Sequence, residues 1–228
     1  MNTRKLEEKN YLKLNVARAQ LLEILDSGGV VLKTFSPIES LESISSADME
    51  RFSRQRNAGV GDEVEGRLRI DIFGNEVVRV RYAEGDSVPE NKTPMVVGSF
   101  PPPDKCDINT IDSKYIIITT DKIEVSICLE PYSLVVKSDD GTAEVGGIEK
   151  NYFNSWNSFS TGICSTLDGK NNIAVENFSL RPNEAIYGFG ETFIKLNKVG
   201  QTIDINLMDP LGVNTPHSYK NIAFYVST

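Results

Sequence analysis

The 228-residue chain contains one histidine, His217, and three cysteines, none of them in a C-x-x-C pair. This scarcity excludes the histidine and cysteine clusters that bind zinc, and it leaves a single imidazole for any Ser-His-Asp triad. The sequence also lacks a Gly-x-Ser-x-Gly elbow, a Walker motif and an EF-hand loop. We therefore predict no metal site and no cofactor, and we interpret His217 as a turn residue.

Long apolar runs are absent as well. No stretch of eighteen apolar residues occurs, and the first residues, MNTRKLEEKNYLKL, lack the apolar core of a secretion signal. The formal net charge of −8 argues against nucleic acids and anionic membranes as partners, since both attract a positive surface. These features predict a cytoplasmic protein with reduced thiols that binds neither nucleic acid nor membrane.

One segment, residues 4–26, has a helical pattern. Leu14, Arg18 and the leucines at 21, 22 and 25 form a partial stripe of period 3.6, and Gly28-Gly29 is a natural stop. The pattern predicts a short helix within an amino-terminal leader of residues 1–29. A frayed leader followed by a strand is the alternative.

From Val30 onward the apolar residues recur with period two. Residues 67–72 and 78–82 alternate charged with aliphatic side chains, and residues 73–76 between them predict the turn of a hairpin. Short strands with turns between them are typical of an antiparallel sandwich. We predict an all-β fold, an antiparallel β-sandwich over residues 30–228. The further predicted strands are 115–120, 123–129, 134–137, 173–180, 185–189, 201–205 and 222–226.

Among the 32 acidic residues, Asp209 is distinguished by its position in a polar loop between Met208 and Pro210. One interpretation is a turn acid that accepts hydrogen bonds from local amides. The other is an acceptor for sugar hydroxyls, because a carboxylate can bind two neighbouring hydroxyls at once. The residue types alone leave both readings open.

Two other groups of residues have a structural and a functional interpretation. The glycines of Gly188-Phe189-Gly190 lack the third glycine of a dinucleotide fingerprint, so they do not predict a phosphate site. A run of aromatic residues could stack on a pyranose ring or cover one end of a sandwich. These aromatics are Tyr152, Phe153, Trp156 and Phe159.

Four segments near the end of the chain resemble motifs of glycoside hydrolase family 31, in the same order and at compatible spacing. They are 187–191 (YGFGE), 197–202 (NKVGQT), Asp209, and 219–225 (YKNIAFY). The similarity is nearest the bacterial α-xylosidase and α-glucosidase branch, and weaker likeness extends it to residues 64–228.

The resemblance implies a galactose-mutarotase-like sandwich that precedes a (β/α)₈ barrel. In this family both catalytic aspartates belong to the barrel, and no acid of this chain matches them, so we assign no catalytic residue. Asp209 matches a family aspartate that contacts the sugar. The family branch often has tryptophan-asparagine-arginine before that aspartate, whereas this chain has Asn206-Leu207-Met208. The sugar preference therefore stays open.

The resulting prediction is the amino-terminal domain of a retaining α-glycosidase, truncated before its barrel and inactive alone. Its expected partners are that barrel and an α-linked oligosaccharide. We also expect an exposed apolar face that favours self-association. A stand-alone carbohydrate-binding sandwich is the alternative from another class. A mutarotase-like enzyme is a third interpretation. It is disfavoured because such an enzyme needs general acid and base groups, and the chain has a single histidine.

Overall fold

The computed structural model describes residues 11–41, 63–90, 98–140, 144–146, 161–166, 172–176, 178, 180–205, 207 and 218–228. The chain divides into two compact units, Met1–Ser179 and Leu180–Thr228. None of the described residues belongs to a helix that is long and apolar enough to cross a membrane.

The described residues form fourteen β-strands. Twelve lie in the first unit and two in the second. In chain order they are β1 (Tyr11–Asn15), β2 (Arg18–Ile24), β3 (Gly29–Leu41), β4 (Glu63–Phe73), β5 (Val77–Glu84), β6 (Asp107–Ile111), β7 (Tyr115–Thr119), β8 (Ile123–Leu129), β9 (Tyr132–Ser138), β10 (Glu144–Gly146), β11 (Thr161–Thr166), β12 (Asn172–Glu176), β13 (Ile186–Gly190) and β14 (Asn221–Ser227).

The first unit is a sandwich of two antiparallel sheets. Strands β12-β11-β1-β3-β4-β5 follow one another in the larger sheet, where β2 also pairs with β3. The smaller sheet has the order β10-β9-β8-β7-β6. This architecture confirms the predicted all-β fold.

The core lies between the two sheets and follows the period-two pattern of the sequence. In β8, Ile123, Val125, Ile127 and Leu129 are buried, while the residues between them are more exposed. Burying an aliphatic side chain of this size contributes about 1.5–3 kcal/mol. The aliphatic residues with no exposed surface come from four central strands and are Val30, Leu32, Leu68, Ile70, Ile72, Ile116, Ile118, Val125 and Ile127.

The predicted amino-terminal helix is wrong for the described residues. Strands β1 and β2 run along one edge of β3, and a bulge between Leu21 and Glu23 shifts the register of β2. A bulge interrupts the alternation of a strand, so adjacent leucines can imitate helical spacing. Strands β2 and β3 pair across the predicted boundary at residue 29. As a division between domains, that boundary stays a prediction.

The predicted strands differ from the structure elsewhere as well. Residues 201–205 alternate in sequence, but they form no strand. Strand β6 was not predicted, and it lies at the edge of the smaller sheet with mostly exposed residues. Alternation therefore predicts a strand reliably only where a strand pairs within a sheet and a packed layer buries one of its faces.

Candidate functional site

The predicted sugar-binding residue, Asp209, lies outside the described residues, but the two ends of its loop are described. Leu207 and Ser218 form an isolated parallel bridge. Ser218 is buried, its Oγ accepts a hydrogen bond from the backbone N–H of Lys220 at 3.0 Å, and its carbonyl accepts one from Nδ2 of Asn221 at 2.9 Å. These bonds fix the return of the loop at the start of β14.

Strands β13 and β14 form a two-stranded antiparallel sheet, the hairpin of the second unit, although a long segment connects them. This hairpin depends on two glycines at close contacts. A Cβ at Gly190 would lie 2.0 Å from the carbonyl oxygen of Lys220, and one at Gly188 would lie 2.6 Å from that of Phe224. Both glycines have positive φ, and a bulge lies between them. Phe189 in the bulge stacks on Tyr225 with ring centroids 5.5 Å apart. The glycine motif therefore lets the two strands approach each other.

The segment after β13 is held by the side chains of Asn197 and Lys198. Oδ1 of Asn197 accepts hydrogen bonds from the backbone N–H groups of Ile186 (3.2 Å) and Val199 (3.1 Å). Lys198 is buried, and its Nζ donates to Oγ1 of Thr192 and to the carbonyl of Lys195, both at 2.9 Å. These bonds explain the local role of the asparagine-lysine pair in the resembling segment.

An ion pair links the end of β13 to the start of β14. Nζ of Lys220 lies 3.0 Å from Oε1 of Glu191, and the backbone N–H of Glu191 donates to the carbonyl of Lys220 at 2.9 Å. The hydrogen bond and the charge of Glu191 raise the pKa of Lys220. Both side chains are exposed, so the pair orients the strand ends and adds little stability.

Strand β14 exposes large apolar side chains on both of its faces. Ile222 is 58% exposed, Phe224 63% and Val226 49%, while Tyr225 on the opposite face is 40% exposed. In the described part of the second unit, no apolar side chain is buried. Contiguous exposed apolar groups of this kind mark an interaction surface.

Comparison with known protein families identifies a match that includes strands β13 and β14. The sequence model of the family described as "Glycosyl hydrolase 31 N-terminal galactose mutarotase-like domain" matches residues 67–228, which is more than half of the chain. The chain belongs to this family. The match begins within β4 and runs to the end of β14, so it includes part of the sandwich and the whole second unit, while β1 to β3 lie outside it.

Solved structures with the same fold are large enzymes. The cycloalternan-forming enzyme of Listeria monocytogenes, in complex with a pentasaccharide substrate, matches 96% of this chain at a TM-score of 0.57 and 17% identity. A Flavobacterium johnsoniae dextranase of family 31, complexed with isomaltotriose, matches 94% at a TM-score of 0.54 and 17% identity. This N-terminal domain spans 17% and 21% of their respective lengths.

Other residues singled out in the sequence fall where nothing is described. His217 and the aromatic residues Tyr152, Phe153, Trp156 and Phe159 lie outside the described residues. Across the described part of the N-terminal domain, no three His, Cys, Asp or Glu side chains come together as metal ligands would.

The sequence interpretation missed a cluster of charges around Asp71 on the outer face of the larger sheet. Asp71 is 2% exposed. Its Oδ1 accepts a hydrogen bond from Nε of Arg69 at 2.7 Å. Its Oδ2 accepts bonds from Nε (3.2 Å) and Nη2 (2.9 Å) of Arg79 and from Nη2 of Arg81 (3.2 Å). Three guanidinium groups thus surround one carboxylate.

Two opposing effects determine the pKa of Asp71. Burial raises the pKa, but the hydrogen bonds and charges of Arg69 and Arg79 outweigh it, so that the pKa lies below its usual range. Asp71 is therefore ionised at neutral pH. The signal in the sequence was the register of the β4–β5 hairpin, which places Asp71 opposite Arg79 and Arg69 opposite Arg81.

Proposed function

We propose that this chain is the amino-terminal domain of a retaining α-glycosidase, of the α-glucosidase or α-xylosidase type. In this proposal the loop that carries Asp209 completes the substrate pocket of a catalytic (β/α)₈ barrel. Membership of the family supports the glycosidase assignment. The cycloalternan-forming enzyme and the dextranase that share the fold bind a pentasaccharide and isomaltotriose, which favours an oligosaccharide substrate.

The observation that carries the loop assignment is the bridge between Leu207 and Ser218. It ties both ends of the intervening segment to one place beside β14, so the segment leaves and returns at the same point. A loop with fixed ends presents its side chains to a ligand with less loss of entropy than a free segment. Asp209, two residues after Leu207, would accept hydrogen bonds from sugar hydroxyls, each contributing about 1.5–3 kcal/mol.

Docking of the barrel would cover the apolar surface of β14. A two-stranded hairpin is at best marginally stable in water unless it packs against another element. Ile222, Phe224 and Val226 supply the apolar side chains for such a contact. We place the barrel on this surface, and self-association of the chain through β14 is what we expect in its absence.

The chemistry would belong to the barrel. Retaining glycosidases use a carboxylate nucleophile and a second carboxyl group as acid and base, placed about 5–5.5 Å apart. This chain would position the sugar and exclude water at the mouth of the pocket. We therefore expect the isolated chain to cleave no aryl α-glucoside or α-xyloside.

The test is Asp209→Asn in the protein encoded by the complete gene. Because the variant weakens charged hydrogen bonds to the sugar, we expect kcat/KM to fall about 10- to 100-fold, which corresponds to about 1.5–3 kcal/mol. Asp204→Asn is the matched control, since Asp204 is an exposed acid five residues earlier and should leave kcat/KM unchanged.

Several results would contradict the proposal. An unchanged kcat/KM in the Asp209 variant would remove the loop from the pocket. A gene that encodes no barrel with two facing carboxyl groups would remove the glycosidase assignment. Tight binding of a free oligosaccharide by the isolated chain in calorimetry would instead support a stand-alone carbohydrate-binding module.

A further inference from the structure

The outer face of β2 to β5 carries six cationic side chains, on a chain whose net charge is −8. Three of the cations have an acid of their own: Arg18 pairs with Glu63, Lys33 with Glu65, and Arg67 with Asp86. The remaining three, Arg69, Arg79 and Arg81, share Asp71 alone. Three positive charges against one negative charge leave this group with an excess of two positive charges at one point of the face.

Because of the strand register, this concentration of positive charge would destabilise the sheet if no anion were present. Arg69 and Arg81 are direct cross-strand partners, and like charges in that position destabilise a sheet. On its other side Arg69 is opposite Val31, and Asp71 is opposite Gly29, so β3 supplies no acid there. One carboxylate thus holds three guanidinium groups that would otherwise repel one another.

The guanidinium groups keep donors that Asp71 does not use. Within the described residues, Arg69 donates to Asp71 through Nε only, and Arg79 through Nε and Nη2. Both Nη groups of Arg69 and Nη1 of Arg79 have no protein acceptor there. The two side chains are 34% and 38% exposed, so solvent reaches them. A guanidinium has five N–H donors in a planar fork, which suits an oxyanion.

Aromatic contacts limit the movement of Arg79. Its guanidinium carbon lies 4.6 Å from the ring centroid of Phe73, which in turn packs on Phe100 with centroids 4.9 Å apart. Arg81 is only 15% exposed, and its Nη1 donates to the carbonyl of Pro89 at 3.2 Å. A site whose donors are held before binding loses less entropy on binding.

We propose that Arg69 and Arg79, held in place by Asp71, bind a phosphate group, either as free phosphate or as the phosphate of a small metabolite. The excess charge of two matches the dianion that phosphate carries near neutral pH. Charge-assisted hydrogen bonds from two guanidinium groups account for its binding. Asp71 is a positioning residue, because both of its oxygens are occupied by the arginines.

The experiment is a titration of the chain followed by NMR of the arginine Nε–Hε groups. Inorganic phosphate and glucose 1-phosphate are added in separate series, each against potassium chloride at equal ionic strength to remove screening effects. We expect saturable shifts at Arg69 and Arg79 with phosphate and none with chloride. Tighter binding of glucose 1-phosphate would identify a metabolite as the source, and equal binding would identify free phosphate.

Variants separate a site from general attraction. Arg69→Gln should weaken phosphate binding about tenfold or more, since it removes a charged hydrogen bond. Arg18→Gln removes the same charge from the same face but from a paired residue, and should change binding less than about twofold. Unsaturable shifts in the parent chain, or equal weakening in both variants, would overturn the proposal. The titration of the parent chain decides the matter even if Arg69→Gln does not fold.

Discussion

The two units are built from the same kind of strand but bury their apolar residues in opposite ways. In the sandwich, Ile127 on β8 has no exposed surface, while Ile222 on β14 of the hairpin is 58% exposed. Both residues belong to a series of large apolar side chains at every second position of their strand. The difference is that β8 has a second sheet across from it, whereas among the described strands β14 pairs only with β13. Alternation therefore provides an apolar face, and only a packed neighbour converts that face into stability.

The largest expected effect comes from exchanging isoleucine for alanine in each unit. Ile127→Ala leaves a cavity between the sheets, so we expect the free energy of unfolding to fall by about 2–5 kcal/mol. Ile222→Ala removes the same atoms from an exposed strand and should change it by less than about 0.5 kcal/mol. Urea unfolding of both variants measures the difference, at a protein concentration low enough to keep the chain from associating through β14. Similar losses would mean that β14 is packed in solution, which would break the comparison.

A smaller effect is expected at the charged face of the sandwich. Asp71→Asn leaves three guanidinium groups without their carboxylate, and we expect a loss of about 2–3 kcal/mol at neutral pH. The control is Asp86→Asn, because Asp86 is almost fully exposed beside Arg67 and should cost less than about 1 kcal/mol. Chemical denaturation of both variants provides the measurement.

The loss at Asp71 should depend on pH with a known sign. The pKa of Asp71 is lowered in the folded state, so its ionised form stabilises the fold above the unfolded pKa of about 4. This contribution declines as pH falls through the lower folded pKa. The difference between the parent chain and Asp71→Asn should therefore shrink below about pH 4. A difference that grows on acidification would show that Asp71 is not stabilised as a carboxylate.

The sequence allowed the sandwich to be predicted because its central strands alternate cleanly. The predicted strand 123–129 has the observed bounds of β8, and the predicted β4–β5 hairpin is confirmed. The turn at residues 74–76 places Asp71 opposite Arg79, so the charge cluster could have been predicted from the sequence. The cluster was missed because alternating charged residues usually indicate only the solvent-exposed face of a strand.

Other features depend on contacts that no local pattern contains. The bulge in β2 gives its leucines a helix-like spacing, and this spacing led to the incorrect prediction of a helix. Residues 201–205 alternate but have no pairing strand, and β6 is held by β7 with little burial of its own. The loop of Asp209 was predicted from resemblance, and its role stays a prediction because only its ends, Leu207 and Ser218, are described.

The smallest expected effect separates the hairpin from the sandwich. Gly190 and Gly200 both have positive φ, so alanine strains the backbone at either position. Only at Gly190 would the new Cβ also meet a strand, 2.0 Å from the carbonyl of Lys220, while nothing lies within 4 Å at Gly200. We expect Gly190→Ala to part β13 from β14 and to speed amide hydrogen exchange in β14 about tenfold or more relative to Gly200→Ala.

The same experiment shows whether the two units are energetically separate. Because no apolar side chain is buried in the described part of the hairpin unit, its opening should leave the exchange of β8 amides unchanged. Faster exchange in both β14 and β8 would mean that the sandwich depends on the hairpin. Unchanged exchange in β14 would show that the strands tolerate a side chain at Gly190, and it would contradict the expectation that the close contact with Lys220 excludes one. Acceleration confined to β14 is the result expected of a hairpin whose stability depends on a docking partner.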